Sequence, residues 1–206
     1  MPRLKPLPIE AMPELEDIAK ATQARLGFIA NSMRLLSHRP KIARAFTELA
    51  RAINGPDTTL DKPLRSMIAQ VASRTAGCSY CMAHTAHSGI QAGIAAEKER
   101  ALWEYETSPL FSEAERAALR VAQLAAMVPN QVSDADFDAL RKHFRDDQIV
   151  DIVAVVSLYG FLNRWNDTMA TELEASPLQT GQEYLAERGW SAGKHAPPAG
   201  GRNAAD

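Results

Sequence analysis

Cysteine is almost absent: the chain of 206 residues holds two, Cys78 and Cys81. A single pair so close in sequence cannot act as a disulfide framework, so the fold must be held by apolar packing, and a chain of this length can bury a sizeable core. Basic excess is missing as well. Lys and Arg number 23 against 25 Asp and Glu, a formal charge of -2, which excludes the phosphate-neutralising surface that nucleic acid requires. No stretch approaches the roughly 20 apolar residues of a membrane span. The opening residues, Met1 to Glu16, mix prolines with charges where a secretory leader would be apolar. The expected setting is therefore cytoplasmic, with no membrane and no nucleic acid among the partners. Alternation of period two between turn signals is also lacking, so no sheet is expected and the fold class is all-α.

What is present is helical periodicity between clear breakers. Pro13 to Leu26 places Leu15, Ile18, Ala19 and Thr22 on one face, and Lys41 to Asn54 follows Pro40 and ends at Asn54-Gly55-Pro56-Asp57. Asp61 is an N-cap with Pro63 in the first turn, and Leu64, Ile68 and Val71 carry that helix toward Gly77. Cys78 to Ala92 and Ala95 to Tyr105 read as further helices. Ser112 with Glu115 forms a capping box ahead of Ala118, Val121, Leu124 and Ala125. Ser133 to Phe144 is a short amphipathic piece, and Asp147 to Leu173 carries so apolar a stretch, Ile149 to Leu162, that a buried central helix is expected. Residues 1–190 are read as one helical domain with an N-terminal arm. Residues 191–206, broken by Gly193, Pro197, Pro198, Gly200 and Gly201, are read as a mobile polar tail.

Chemistry concentrates in Thr75-Ala76-Gly77-Cys78-Ser79-Tyr80-Cys81-Met82-Ala83-His84-Thr85. A helix N-terminus stabilises a thiolate, and cysteines at i and i+3 lie within the Cα separation that a disulfide accepts. In a reducing compartment a bond between them is catalytic or redox-sensing before it is structural. His84 follows Cys81 by one helical step and can share a proton with it. His87 lies on another face and reads as a solvated or capping residue, and His38, His143 and His195 read as surface histidines. Zinc is the rival use of Cys78, Cys81, His84 and His87. On one unbroken helix these four cannot converge on a point about 2.0–2.3 Å from each, so no metal and no cofactor is expected. A site of three, Cys78, Cys81 and His84, is less strained, and the sequence leaves it open. Arg65 and Arg74 make the stretch locally positive, and Tyr80, Asn163, Arg164 and Trp165 are candidates to line a pocket.

At this motif the chain resembles the alkylhydroperoxidase D-like branch of the carboxymuconolactone decarboxylase family. The likeness extends to Ala30-Asn31-Ser32 with His38-Arg39-Pro40, to Phe111-Ser112-Glu113-Ala114-Glu115-Arg116 and to Asn163-Arg164, covering about Ile9 to Leu178. The resemblance implies a helical bundle, self-association into a homo-oligomer, and a thiol peroxidase. In that reading Cys81 attacks a hydroperoxide, Cys78 resolves the sulfenic acid as a disulfide, His84 assists, and an external dithiol or protein reductant restores the pair. Members lacking the cysteines act as decarboxylases, so the pair counts against decarboxylation here. Family members carry a histidine four residues after the second cysteine and a glutamate twelve before the first; here those positions hold Thr85 and Ser66. No Asp or Glu occurs between Asp61 and Glu97, so a relay carboxylate must come from elsewhere. The alternatives are a thiol-disulfide switch docking a protein partner, and an assembly module with a vestigial site.

Overall fold

The structure, a computed structural model, describes residues 2–198, the side chains of residues 25 and 26 aside. Those residues form ten α-helices and no strand: α1 Glu16–Leu26, α2 Asn31–Leu36, α3 Pro40–Asn54, α4 Lys62–Thr75, α5 Ser79–Gln91, α6 Ala96–Arg100, α7 Glu113–Ala126, α8 Asp134–Arg141, α9 Asp146–Met169 and α10 Ala175–Tyr184. The all-α expectation holds. Helix α4 is the centre, packing against α5, α7 and α9. Its residues are buried all round, from Leu64 through Met67, Ile68 and Val71 to Ala72, and each large apolar side chain so buried contributes about 1.5–3 kcal/mol. Asp61 starts it as foreseen, its side chain accepting the Leu64 N–H at 2.7 Å.

The expected central helix, α9, is buried on one face through Ile149, Ile152, Val155 and Val156, but it leaves Val150 66%, Val153 38% and Phe161 42% exposed. Apolarity all round therefore did not mark the middle of the bundle. Helix α4 takes that place although Ser66, Gln70 and Ser73 interrupt its apolar pattern. Ser73 does so at little cost, because its hydroxyl donates back to Ala69 O at 2.7 Å.

Ala95 to Tyr105 is broken into α6 and a 3-10 turn, Leu102–Glu104. Two helices went unforeseen, α2 and α10. Pro177 and Gly181 argue against a helix at α10, yet Pro177 sits in its first turn, where the missing N–H has no intrahelical partner to lose. Gly181 is needed: a Cβ there would meet the Trp190 ring at 2.5 Å. The segment 191–198, expected to be polar tail, is packed on the bundle through a 3-10 turn, Gly193–His195, whose His195 is buried. The rest of that tail, 199–206, lies outside the described residues.

Candidate active site

The turn from α4 into α5 sets the chemistry. Gly77 takes φ 74°, a left-handed conformation that side chains disfavour, and so turns the chain sharply enough for Cys78 to become the N-cap of α5. Cys78 Sγ accepts the Cys81 N–H at 3.4 Å, one of the orphan donors of the helix start. Both thiols are reduced and closed off, Cys78 at 0% and Cys81 at 2% exposure. Their burial mates are Tyr80, Met82, Leu173, Leu185 and Trp190.

The two sulfurs differ electrostatically. Hydrogen bonding from Cys81, against the opposing effect of burial, draws the Cys78 thiol below its ordinary range. Burial pushes Cys81 well up, and the neighbouring Cys78 adds to that. Of the two sulfurs, Cys78 is thus the more readily ionised and Cys81 the one that holds its proton more tightly. Asn166 Nδ2 donates to Cys81 Sγ at 3.4 Å, and the Thr171 hydroxyl donates to Asn166 Oδ1 at 2.9 Å, which fixes the amide's orientation. Asn166 went unnoticed in the sequence. The neighbours proposed instead are turned elsewhere: Asn163 Nδ2 donates to Ala72 O at 3.5 Å, Arg164 Nη1 to Gly160 O at 3.3 Å, and Trp165 stacks on Phe161.

On one flank lies the missing carboxylate. Glu174, at the N-cap of α10, places Oε2 2.6 Å from His84 Nε2, and its Oε1 accepts from the Tyr80 hydroxyl at 3.0 Å and from the Asn31 N–H. Tyr80 stacks on His84 with ring centroids 4.3 Å apart. Burial opposes ionisation of Glu174, but the His84 charge and hydrogen bond and the Asn31 N–H outweigh it and hold the carboxyl below its usual range. Tyr80, buried beside that carboxylate, is pushed well up and stays a donor. The hydrogen bond of His84 therefore goes to Glu174.

On the other flank stand Asp167 of α9 and His195, whose ligand atoms lie with Cys78 Sγ within 4.8 Å of one another. His195 was expected at the surface; it is 1% exposed. These three are donors of the kind that hold a transition metal. However, Lys194 Nζ is 2.7 Å from Asp167 Oδ2, an ammonium where a cation would compete for the same carboxylate. Helix α5 runs unbroken, so Cys78, Cys81, His84 and His87 do not converge. His87 is half-buried, and its Nδ1 meets the Thr180 hydroxyl, which itself donates to Ser176 O, at 3.0 Å. Arg65 and Arg74 are engaged away from the thiols, Arg65 on Leu60 O at 2.6 Å and Arg74 over the Trp103 ring at 3.7 Å. Two open hollows, of about 380 and 390 Å³, lie by Tyr105 and Arg116 and by Arg100 and Arg188, not at the dithiol.

Comparison with known proteins bears on this arrangement. Residues 40–124 match the Carboxymuconolactone decarboxylase family. Among solved structures, the debrominase Bmp8 is 32% identical, with 87% of this chain covering 96% of that one and a TM-score of 0.81. A cysteine-to-alanine variant of Bmp8 is known in complex with 2,3,4-tribromopyrrole. A peroxidase-related protein of Ralstonia eutropha JMP134, described as an alkylhydroperoxidase AhpD core, is 27% identical, with 85% of this chain covering 94% of that one and a TM-score of 0.76. The uncharacterized protein YnjA of Escherichia coli (strain K12) is 29% identical over 110 residues, which is 53% of this chain and 60% of YnjA. By fold, dithiol motif and near full-length likeness, the chain belongs to the alkylhydroperoxidase D-like branch of the carboxymuconolactone decarboxylase family.

Proposed function

We propose that this protein is a dithiol oxidoreductase that reduces a small hydroperoxide through Cys81 and Cys78. The observation that carries the reading is the reduced Cys78/Cys81 pair at the N-terminus of α5, set beside the hydrogen-bonded His84 and Glu174. Cys78, as thiolate, takes the proton of Cys81. The Cys81 thiolate attacks the peroxide; an S–O bond forms, the O–O bond breaks, and the departing alkoxide takes a proton delivered by His84. Cys78 then attacks the sulfenic sulfur, closing the disulfide and releasing water. An external dithiol or protein reductant returns two electrons and two protons. Access lies on the flank of His84, 19% exposed, and Glu174, 11% exposed, because the other side of the pair is covered.

Likeness to Bmp8 favours a second substrate class for the same dithiol, a brominated heteroaromatic. There the pair would give up two electrons, bromide would leave, and a proton would replace it on carbon. Stopped-flow loss of cumene hydroperoxide and bromide release from 2,3,4-tribromopyrrole, each with wild type, Cys81→Ser and Cys78→Ser, separate the readings. Rapid peroxide loss abolished in Cys81→Ser, with Cys78→Ser trapping a sulfenic acid, is the expected result. Slow peroxide loss in all three with bromide release in the wild type would replace the peroxidase reading by dehalogenation. Slow reaction with both substrates would leave the thiol-disulfide switch.

A further inference from the structure

The flank of the dithiol opposite His84 and Glu174 holds an unanswered polar atom. His195 Nδ1 lies 2.7 Å from Thr171 O. A carbonyl only accepts, so Nδ1 carries the hydrogen, and Nε2 of the neutral ring bears the lone pair. That Nε2 is buried without a hydrogen-bond partner. Buried polar atoms in folded proteins are nearly always paired, so an exception beside a reactive thiol asks for a chemical reason. The imidazole brings a ring nitrogen, Cys78 Sγ and an Asp167 oxygen within 4.8 Å of one another, and Nε2 itself stands 3.6 Å from Asp167 Oδ1. A thiol is the donor that such a lone pair lacks, and a carboxylate is the group that steadies the imidazolium once the proton has moved.

We propose that His195 is the proton acceptor of Cys78, with Asp167 holding the imidazolium that results, so that the resolving thiol has a base of its own, separate from His84 and Glu174. This rests on the dithiol reading above. After Cys81 has become a sulfenic acid, the Cys78 S–H proton passes to His195 Nε2. The Cys78 thiolate attacks the Cys81 sulfur, the S–S bond forms and the S–O bond breaks. The departing hydroxide recovers the proton from His195 and leaves as water, so no outside acid is consumed.

The surroundings are consistent with this role. The charged and titratable groups facing His195 are Asp167 of α9, Lys194 of its own turn, and Cys78 and Tyr80 at the start of α5, the Tyr80 ring 5.9 Å away. Lys194 Nζ pairs with the other oxygen of that carboxylate, Asp167 Oδ2, at 2.7 Å. Burial lowers the imidazole below its ordinary range, more than the Thr171 carbonyl and Asp167 raise it, which leaves the ring neutral and able to accept at rest. The segment is held in place by backbone as well, since the Leu173 N–H donates to His195 O at 2.9 Å.

The test is the ultraviolet thiolate absorbance of Cys78 followed against pH in the reduced, full-length Cys81→Ser protein, with and without His195→Asn. Asn keeps a donor toward Thr171 O and removes Nε2. The expected result is an upward move of the Cys78 titration by about one pH unit, or tenfold less thiolate at a fixed pH. An unchanged titration in both His195→Asn and His195→Gln would overturn the proposal. Because a buried histidine can be hard to replace, nitrogen NMR of the native His195 ring provides the second measurement. Its Nε2 signal and titration are expected to move between wild type and Cys78→Ala, and an unmoved signal would equally overturn it. Neither measurement uses a peroxide, so failure of turnover and failure of this proposal are distinguishable.

Discussion

Glu99 shows what burial does to a carboxyl, here against a weaker opposing effect of the Gln70 amide. It is 1% exposed, neither oxygen has a hydrogen-bond partner, and burial raises its pKa from 4.5 to about 7. Its unfolded counterpart ionises near 4.5, so the protonated folded form is favoured fully below that pH, and the advantage is lost as pH climbs through about 7. The shift corresponds to about 3 kcal/mol. Urea unfolding midpoints should therefore fall between pH 5 and 8 in the wild type and fall less in Glu99→Gln; superimposable slopes would remove Glu99 as the cause. Glu174 behaves in the opposite sense. Its carboxyl is held below the ordinary range, so its contribution is present above that range and disappears only in stronger acid. The chain's lack of carboxylate between Asp61 and Glu97 was readable in the sequence, and it implied a partner from elsewhere. Which residue supplied it was not readable, because Glu174 meets His84 through the packing of α10 on α5, a contact that no local spacing encodes.

Helix α10 is the element on which the site depends most and the one the sequence hid best. Its N-cap carboxylate accepts from Tyr80 and Asn31 and pairs with His84, while Thr180, six residues on, receives His87. The helix thus bridges α2 to two faces of α5. Removing that carboxylate leaves the buried Tyr80 hydroxyl and the half-buried Asn31 N–H and His84 unanswered. Glu174→Ala is expected to cost about 2–4 kcal/mol in chemical unfolding, with Glu174→Gln, which keeps an acceptor, recovering at least half. Equal losses in the two variants would mean that the side chain matters only as volume. Ser66 and Thr85 gain sense at this scale as well. The resemblance predicts a glutamate and a histidine at those positions; the carboxylate–imidazole pair beside the dithiol is instead Glu174 at the N-cap of α10 with His84 of α5. Thr85 is inert toward the site, its hydroxyl donating back to Cys81 O at 2.8 Å. By contrast the Asp61 cap, the Ser112 capping box and the placing of Cys78 at a helix start were legible, because each is written within four residues of sequence.

For the molecule as a whole, the question is how a reactive pair is shielded yet usable. The bundle buries the dithiol from beneath through α4 and α9, and the chain's last described residues close it from above. Trp190 Nε1 donates to Ser79 O at 3.1 Å, tying that segment to the first residue of α5, and its ring rests on Gly181 of α10. A polar, glycine- and proline-broken sequence gives no hint of this, since the anchoring comes from one indole and one imidazole rather than from periodicity. If the segment is the cover, loosening it should expose the thiols without dismantling the bundle, whose main core is separate from the cluster around Cys78. Trp190→Ala is expected to lower stability by about 3–5 kcal/mol, the usual loss for a buried indole. It should also raise the rate of thiol modification by Ellman's reagent tenfold or more while helical circular dichroism is kept. Gly181→Ala, which forces a methyl into the same indole, should act in the same direction by overpacking, with a smaller loss of about 1–3 kcal/mol. Thiols that stay slow in both folded variants would place the entrance on the His84 side alone, and the C-terminal segment would then serve to hold His195 rather than to guard the pair.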